Sequence, residues 1–501
     1  MHLTHEQQAV IDSEAPSVAV TAFAGTGKTT TLEAYTRARP RTRFTYLAFN
    51  RAVRDAAAAR FGSNVRAVTA HSLAFRAVGA RFEHKLAAGG LRPYKLLSDV
   101  PFLCPQTWAS EDRLLCAHYI VETVNQFIWS ADRELSSRHC LAPDTAFADA
   151  PFGREEVVHK ASVIWRAMIT ATESRVPMTH DGYLKLYQLT EPELPGDVIL
   201  FDEAQDANHA MLSMVLRQQG KRAVFVGDPH QQIYGFRGAT SAFDVLGEAE
   251  HLTLSRSFRF GPAIGEAATA FLADAKGETR QLVGASAYAS ALDLPYADEP
   301  STVVCRSNSS VIRHAIEAMD AGLSVGVVGD LRGYDAQRIV DVHALMYGGR
   351  VRSPDLRSLK NLSSAEKYAR QVGDGELISA IGLLRNCGQR LIHDLQRLSE
   401  YIESNSDPLK TFVTAHKAKG LEFDAVSLAD DFVDIWNTDI GAVRNLAKVD
   451  PEELNLLYVA MTRGRHKLGL SPNLQAWAEE RLTPATEHAP RGIRSPRLAS
   501  L

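Results

Sequence analysis

The segment Ala22-Phe-Ala-Gly-Thr-Gly-Lys-Thr29 constrains the fold more than any other part of the chain. It follows a short β-branched run, Val18–Phe23, and precedes a stretch with helical character, Thr29–Ala38. A Gly-rich turn between a strand and a helix, ending in Lys-Thr, is the form of a phosphate-binding loop. Since the first position is Ala22 rather than the usual Gly, a Gly-rich turn without a ligand is the alternative interpretation.

The residue types of this loop suit the phosphates of a nucleotide. Gly25 and Gly27 let backbone N–H groups turn toward phosphates, Lys28 reaches the β and γ phosphates, and the Thr29 hydroxyl is placed for Mg²⁺. The N-terminus of the following helix adds its dipole. The predicted nucleotide-binding residues of the loop are Ala24, Gly25, Thr26, Gly27, Lys28, Thr29 and Thr30.

A second apolar run ends in acids, in Leu200-Phe-Asp-Glu-Ala-Gln-Asp206. Asp202 is predicted to hold Mg²⁺ through water, and Glu203 to polarise the attacking water as general base. Acids favoured at a helix N-terminus are the alternative. A third strand end delivers Gln231, which is predicted to sense the γ-phosphate. Together with the loop, these residues predict a nucleotide hydrolase.

Strands alternate with helices along the chain, and this pattern predicts an α/β protein with parallel sheets. The predicted strands of the first sheet are Val18–Phe23, Phe44–Phe49, Val65–Thr69, Asp197–Asp202 and Arg222–Gly227. Those of the second are Thr302–Cys305, Ser324–Val328, Lys410–Thr414, Ala425–Ala429 and His466–Leu470.

Two mainly helical stretches interrupt the strand pattern. We therefore predict an N-terminal domain from residues 1–80 and 195–275, with a helical insertion at 81–194. A C-terminal domain is predicted from residues 276–330 and 409–478, with a small helical insertion at 331–408 and a flexible tail at 479–501.

The segment Val226–Ala239 contains two aromatic residues in a Gly-flanked stretch. Tyr234 and Phe236 stand beside Arg237, and exposed aromatics next to an arginine suit base stacking on a single nucleic-acid strand. Packing in the core is the alternative for both rings.

The formal net charge of −4 does not by itself indicate a nucleic-acid binder. A groove can nevertheless hold a strand through stacking, backbone N–H groups and a local cluster of Lys and Arg.

The five cysteines are scattered without a CxxC pair, which favours free thiols in a cytosolic protein. No apolar run of about 18 residues is present, so no membrane contact is expected.

Taken together, the motifs resemble superfamily 1 helicases of the UvrD/Rep type, from residue 3 to about residue 470. Within that group, Phe44–Val53, Met178–Leu189 and Gly227–Ala239 are most similar to the helicase core of the F-box DNA helicase family. The helicase motifs begin at once, so we expect no F-box and do not transfer the ubiquitin-ligase role of the animal members. The resemblance implies two RecA-like P-loop domains with ATP and Mg²⁺ between them.

The resemblance also implies roles for single residues. Gln7 matches the glutamine that reads the adenine edge, and Phe258 matches an adenine-stacking aromatic. Arg259 and Arg463 match two arginine fingers, and Glu422 lies near the ribose. Ordinary ion pairing is the alternative for both arginines.

The implied DNA contacts follow the strand ends and the aromatic segment. They are Phe49, Asn50, Thr69, His71, Ser72, Tyr234, Phe236, Arg237 and His416. Capping of a helix is the alternative for His71 and Ser72. Tyr183 and Lys185 either face DNA or pack inside the protein.

The function implied is that of an ATP-dependent DNA helicase or translocase, monomeric, acting 3′-to-5′ on single-stranded DNA and at single-strand/duplex junctions in repair or recombination. Only about 150 residues separate Arg259 from Thr414, so translocation is better supported than strong strand separation. An ATP-gated DNA-binding switch, a motor subunit that needs a protein partner such as a nuclease, and an RNA substrate are the alternatives. The expected location is the cytoplasmic nucleoid in a bacterium or phage, or the nucleus in a eukaryote.

Overall fold

The computed structural model describes residues 3–87, 89–173, 175–293, 299–405 and 407–482. Its strands are β1 (Ser17–Ala22), β2 (Phe44–Ala48), β3 (Val65–Thr69), β4 (Val198–Asp202), β5 (Arg222–Gly227), β6 (Glu250–Leu254), β7 (Ser301–Cys305), β8 (Val325–Val327), β9 (Lys410–Thr414), β10 (Phe423–Leu428), β11 (Trp436–Asn437), β12 (Ala442–Val443) and β13 (Gly464–Gly469).

The helices occupy the connections between these strands and both insertions. They are α1 (His5–Asp12), α2 (Lys28–Arg37), α3 (Arg51–Arg60), α4 (Ala70–Ala74), α5 (Pro93–Asp99), α6 (Ser110–Trp129), α7 (Arg154–Ile169), α8 (His180–Leu189), α9 (His209–Leu216), α10 (Pro262–Lys276), α11 (Asn308–Asp320), α12 (Ala336–Tyr347), α13 (Pro354–Arg357), α14 (Leu362–Val372), α15 (Gly375–Cys387), α16 (Leu391–Ser404), α17 (Ala415–Ala418), α18 (Pro451–Met461) and α19 (Pro472–Leu482).

Two parallel sheets form the centre of the fold, as the alternating strands and helices predicted. The first has the order β3-β2-β4-β5-β1-β6, and the second has the order β13-β10-β7-β9-β8. Every residue of β2 and β4 is buried, which is expected of parallel strands covered by helices on both faces. The α/β class with two parallel sheets is therefore confirmed. A small antiparallel pair, β11 and β12, lies in the connection between β10 and α18.

The carboxyl ends of the strands gather the residues that matter below. β1 leads into the Gly-rich loop, β4 ends at Asp202, β5 is followed by Asp228, and β2 is followed by Phe49. In open α/β sheets, ligands bind outside the carboxyl ends of the strands. The order β4-β5-β1 places the loop and the two acid-bearing ends side by side.

Helices α5 to α8 form the first insertion, and α12 to α16 form the second. The two insertions touch each other, with α5 against α13 and α6 against α14. Lys360 forms an ion pair with Glu111 at 3.4 Å, and the rings of His118 and Tyr368 meet edge-on with centroids 6.1 Å apart. Both insertions therefore contribute to one apolar cluster.

The prediction placed almost all of helix α10 in the N-terminal domain, whose predicted end is residue 275. Its apolar residues pack with α18, α19 and β13 of the second unit. Asp274 accepts a hydrogen bond from Trp477 Nε1 at 3.0 Å and pairs with Arg481. The structure thus joins α10 to the second unit, because the apolar face of this helix is buried there.

Two further differences concern short or terminal elements. The strand β6 was not predicted, and its pattern explains why: it is a half-exposed edge strand with the sequence EHLTL. Helix α19 continues to Leu482, past the predicted start of a flexible tail at residue 479. The remainder of that predicted tail lies outside the described residues.

Within the described residues, none of the helices has the length and apolar character needed to cross a bilayer.

We predict that Phe127→Ala destabilises the first insertion by about 3–5 kcal/mol, since a large buried ring leaves a cavity. Phe127 is 1% exposed and its ring meets Trp165 edge-on at 5.2 Å. The measurement is urea unfolding. Phe102→Ala is the matched control, because Phe102 belongs to the same insertion but is 93% exposed. Equal unfolding midpoints for the two variants would contradict this packing.

Candidate active site and aromatic groove

The Gly-rich loop after β1 depends on two glycines with left-handed backbone. Gly25 and Gly27 have φ values of 75° and 79°. A Cβ added at Gly25 would lie 2.5 Å from Ser257 Oγ and 2.7 Å from Arg259 Cβ, so a side chain does not fit there. The Thr26 hydroxyl donates to Phe23 O at 2.9 Å and fixes the turn. The loop therefore presents its backbone and the N-terminus of α2 to a cleft, as phosphate binding requires.

This cleft has a volume of about 380 Å³ and is lined by residues from both α/β units. That volume is in the usual range for small-molecule sites. Predicted site residues that line it are Gly25, Thr26, Gly27, Lys28, Thr29, Thr30, Phe49, Asn50, Glu203, Gln231, Tyr234, Arg259, Glu422 and Arg463. A larger surface depression of about 670 Å³ lies elsewhere, around Arg43, Arg66 and Lys221, and contains none of these residues.

Gln7 and Phe258 both lie close to Gly27 of the loop, although neither lines the cleft. Gln7 Nε2 donates to Thr26 O at 3.5 Å. A Cβ at Gly27 would lie 3.1 Å from Gln7 Nε2 and 3.7 Å from the Phe258 ring, so both side chains stand against the same point of the loop. Phe258 is 41% exposed, which leaves a ring face free for stacking. Their adenine roles stay predictions.

The acids at the end of β4 face Lys28. Lys28 Nζ lies 3.2 Å from Glu203 Oε2. Burial acts to lower the pKa of Lys28, but Glu203, Asp228 and Asp202 outweigh it and raise that pKa. Burial acts to raise the pKa of Glu203, but Lys28 and Lys419 outweigh it and lower that pKa. Glu203 is therefore ionised at neutral pH, as a general base must be.

Asp202 lies behind Glu203 and is 2% exposed. Burial, followed by the charge of Glu203, raises the pKa of Asp202, and the Tyr46 hydroxyl donates a hydrogen bond to it. Thr29 lines the cleft together with Glu203, the residue that follows Asp202. A hydroxyl and a carboxylate are hard oxygen donors, the type that Mg²⁺ prefers, so this pair fits the predicted metal.

Gln205 connects the two acid-bearing strand ends. Its Nε2 donates to Glu203 Oε2 at 2.6 Å, and its Oε1 accepts from the Asp228 N–H at 3.0 Å. Glu203 itself has a left-handed backbone with φ 52°, which is uncommon outside glycine. The side chain of Gln205 therefore helps to hold the predicted general base in a sparsely populated conformation.

Arg259 and Arg463 reach the cleft from opposite units and lie next to each other. Arg259 Nε donates to Glu422 Oε1 at 2.8 Å, and its Nη1 donates to Thr462 O at 3.1 Å. Arg463 is fully buried, and its Nη2 donates to Gln231 Oε1 at 3.5 Å. Burial and the neighbouring Arg259 lower the pKa of Arg463 to about 9, which still leaves it charged at neutral pH.

Two residues with no predicted role also cross this interface. Lys419 Nζ donates to Asp206 Oδ2 at 2.5 Å and to Gln231 O at 2.7 Å. The Tyr458 hydroxyl donates to Asp228 Oδ2 and accepts from the Ala24 N–H, both at 3.2 Å. A sequence signal existed for Tyr458: a tyrosine in the apolar run of α18 needs a partner for its hydroxyl.

The cleft adjoins an aromatic groove, which we define as Phe49, Tyr234, Phe236, Arg237 and His416; Phe49 and Tyr234 line both. Phe49 and Tyr234 are stacked, with centroids 5.6 Å apart and an interplanar angle of 13°. Phe236 meets Tyr234 at 6.1 Å and His416 at 6.0 Å, both edge-on. Phe236 is 60% exposed, and the Arg237 guanidinium lies 5.6 Å from its ring centroid. The structure thus unites the aromatic residues that were predicted to bind DNA.

The other predicted DNA contacts have partners inside the protein. Asn50 accepts from the Val53 N–H at 2.9 Å and caps α3. Thr69 and Ser72 form the capping box of α4, so the capping alternative holds for Ser72. His71 Nε2 lies 2.8 Å from Asp181 Oδ1 and does not act as the cap. Their DNA contacts stay predictions.

Tyr183 and Lys185 pack inside the protein rather than facing DNA. Tyr183 is 3% exposed and Lys185 is 0% exposed. Lys185 Nζ donates to the carbonyls of Ser130 and Asp132, which anchor the ammonium group. The packing alternative is therefore correct for both residues, because α8 turns this face toward the core of the first insertion.

The chain is similar to known families at both ends. Residues 6–237 match a family model described as an AAA domain, and residues 389–475 match the UvrD-like helicase C-terminal domain. Among curated proteins, F-box DNA helicase 1 of Gallus gallus is 32% identical over 94% of this chain and 49% of its own length. F-box DNA helicase protein 1 of Schizosaccharomyces pombe is 30% identical over 94% of this chain and 58% of its own length.

A third relative, DNA helicase IV of Escherichia coli, is 36% identical over 17% of this chain and 14% of its own length. The chain thus spans 49% and 58% of the two F-box relatives that it matches over most of its own length.

We predict that Gly227→Ala impairs both stability and hydrolysis. A Cβ at Gly227 would lie 2.2 Å from Gln205 Oε1, so Gln205 must move and release Glu203. The expected loss of stability is about 1–3 kcal/mol, the usual effect of overpacking. Thermal unfolding and ATP turnover are the measurements. Gly247→Ala is the control, because no atom lies within 4 Å of a Cβ there. Equal behaviour of both variants would exclude this close approach.

Proposed function

We propose that this chain, which belongs to the UvrD-like superfamily 1 helicases and is related to the F-box DNA helicases, is an ATP-driven motor that moves along single-stranded DNA. One observation carries the proposal. Lys419 binds Asp206 and Gln231 of the cleft, and its Nζ also lies 4.7 Å from the ring centroid of Tyr234 in the aromatic groove. A single side chain therefore touches the predicted sites of both ATP and DNA.

The cleft supports hydrolysis of ATP to ADP and phosphate. Lys28 is assigned to the β and γ phosphates, and Glu203 to the attacking water. A Mg²⁺ ion held by Thr29 and Asp202 would neutralise part of the phosphate charge. Arg259 and Arg463 are assigned to the charge that develops on the transferred group. An arginine in that role is worth roughly 10³–10⁵ in rate.

Movement follows from the placement of these groups on two units. Arg463 comes from the second unit and Gln231 from the first, and they meet at 3.5 Å. Since hydrolysis needs both, the units must close on ATP and are free to open after phosphate leaves, a hinge-type transition. The aromatic groove is also shared, because His416 follows β9 of the second sheet whereas Tyr234 follows β5 of the first. Each cycle therefore changes the grip on a stacked strand.

The direction 3′-to-5′, action at single-strand/duplex junctions, a monomeric state and a role in repair or recombination complete the proposal. The family resemblance supports them. The proposed place of action is wherever the cell keeps its DNA, the nucleoid in a bacterium and the nucleus in a eukaryote.

A second candidate is an ATP-gated DNA-binding switch, or a motor subunit that needs a protein partner. The small second insertion favours it, because α12 to α16 form a compact unit against the first insertion. Such a protein would hydrolyse ATP and bind DNA without separating strands by itself.

We predict that single-stranded DNA stimulates ATP hydrolysis by the wild-type protein, and that Glu203→Gln removes this activity while ATP still binds. The amide keeps the shape of the side chain but cannot accept a proton. Steady-state phosphate release with and without DNA is the measurement. Glu155→Gln is the matched control, because Glu155 is an exposed residue of α7 that does not line the cleft.

The same preparation separates the two candidates on a 3′-tailed and a 5′-tailed duplex. Unwinding of the 3′-tailed duplex alone supports the motor and its polarity. DNA-stimulated hydrolysis without unwinding favours the switch or partner-dependent subunit. Hydrolysis that is indifferent to DNA would refute the motor for this chain.

We further predict that Phe236→Ala weakens binding of single-stranded DNA by about 1–3 kcal/mol, the usual value for one base–aromatic stack. The KM for ATP in the absence of DNA should not change, since Phe236 does not line the cleft. Fluorescence anisotropy with a labelled oligonucleotide measures the affinity. Phe102→Ala is the matched control, because Phe102 is also an exposed phenylalanine. An equal effect of both substitutions would contradict a specific groove.

A further inference from the structure

Tyr458 is a fully buried residue of α18 whose hydroxyl contacts the other α/β unit. It donates to Asp228 Oδ2 at 3.2 Å and accepts the backbone N–H of Ala24 at 3.2 Å. Ala24 belongs to the phosphate-binding loop, and Asp228 directly follows β5. One hydroxyl group of the second unit therefore holds two separate parts of the first.

Asp228 links Tyr458 to Gln231, the predicted γ-phosphate sensor. The oxygen that accepts from Tyr458, Asp228 Oδ2, also accepts from Gln231 Nε2 at 2.7 Å. The other end of Gln231, its Oε1, accepts from Arg463 Nη2 at 3.5 Å. Tyr458 and Arg463 stand five residues apart on α18 and the turn after it, so the contacts form a closed circuit through both units.

The surroundings of the ring leave little freedom. The Tyr458 ring meets His230 edge-on at 5.8 Å, and His230 stacks on Phe23 of the loop at 5.9 Å. Burial raises the pKa of Tyr458, so the hydroxyl stays protonated and remains a donor. A buried N–H or carboxylate oxygen that loses its partner carries a desolvation penalty. The Tyr458 hydroxyl is therefore needed at this position, because the ring alone would leave Ala24 N–H and Asp228 Oδ2 without this partner.

We propose that Tyr458 is a positioning residue for hydrolysis, which sets the orientation of Gln231 and of the phosphate-binding loop according to the closure of the second unit. This inference rests on the proposed ATPase function and gives Tyr458 a role beside that of the arginine fingers. Tyr458 does not touch the reacting atoms. It acts through Asp228 on Gln231 and through Ala24 on the loop.

The test compares Tyr458→Phe with Tyr334→Phe in the full chain. Tyr334 is a fair control because it is equally buried, at 0% exposure, and its hydroxyl donates to Val328 O at 2.9 Å and to Phe412 O at 3.4 Å, both within the second unit. Steady-state ATP hydrolysis gives kcat and KM, and thermal unfolding reports stability. Binding of ADP and of ADP with beryllium fluoride, a mimic of the γ-phosphate, gives two further affinities.

We expect kcat to fall by about tenfold in Tyr458→Phe, the order of magnitude for one lost hydrogen bond to a charged group. The KM for ATP and the affinity for ADP should stay within about twofold, while binding of ADP–beryllium fluoride weakens with kcat. The double variant Tyr458→Phe, Gln231→Ala should be no slower than Gln231→Ala alone, because both changes break one circuit. Tyr334→Phe should match the wild type in every kinetic value.

Unchanged kcat and unchanged ADP–beryllium fluoride binding in Tyr458→Phe would overturn the inference. Additive effects of the two substitutions in the double variant would overturn it as well. These outcomes are distinct from failure of the proposed function, which is an absence of DNA stimulation in the wild type. In that case the basal kcat and the beryllium fluoride affinities still decide the role of Tyr458.

Discussion

The buried guanidinium of Arg463 is the contact around which the two α/β units are arranged. Its groups donate to Val459 O at 2.9 Å, to Leu421 O at 3.3 Å and to Gln231 Oε1 at 3.5 Å. A charge without solvent is tolerated only when its hydrogen bonds are satisfied, and removing one partner of such a group typically costs several kcal/mol. The position of the second unit is thus tied to a side chain of the first, at the mouth of the cleft.

Other contacts across the interface also join a residue of the second unit to one of the first. Lys419 joins Asp206, Tyr458 joins Asp228, and Glu452 accepts from the Gly235 N–H at 3.0 Å. In each pair, one partner follows a strand of the first sheet and the other lies in or near α17 or α18. Nucleotide chemistry and the aromatic groove are therefore built on one interface, and a change in the angle between the units reaches both at once.

Much of this fold followed from local sequence patterns. The strands Val65–Thr69, Arg222–Gly227 and Lys410–Thr414 have the predicted bounds, because buried parallel strands are short apolar runs between turn signals. The sequence did not predict β6, because this edge strand is partly exposed and carries polar residues. The assignment of α10 to the second unit depends on tertiary packing, which no local pattern records.

The site residues also fall into two classes, those set by local motifs and those set by tertiary contacts. The loop and the acids Asp202 and Glu203 are local motifs, so their positions were predictable from spacing alone. Lys419 and Tyr458 act through partners more than 180 residues away along the chain, as with Lys419 and Gln231 or Tyr458 and Asp228. Such pairs become visible only when both sheets are placed. Thr69 and Ser72 show the opposite case, since a capping box satisfies both side chains locally.

The strand that carries the phosphate-binding loop finds its neighbours late in the chain. Ser17 of β1 pairs with Ala223 of β5, and Val18 pairs with Glu250 of β6, whereas Phe44 of β2 pairs early with Val65 of β3. During synthesis, β1 therefore has no partner strand until the first insertion has been made, because both β5 and β6 follow it. An unpaired apolar strand is prone to aggregation. The sheet that carries the phosphate-binding loop is therefore complete only when β6 emerges, and the cleft itself closes only after the second unit has been synthesised.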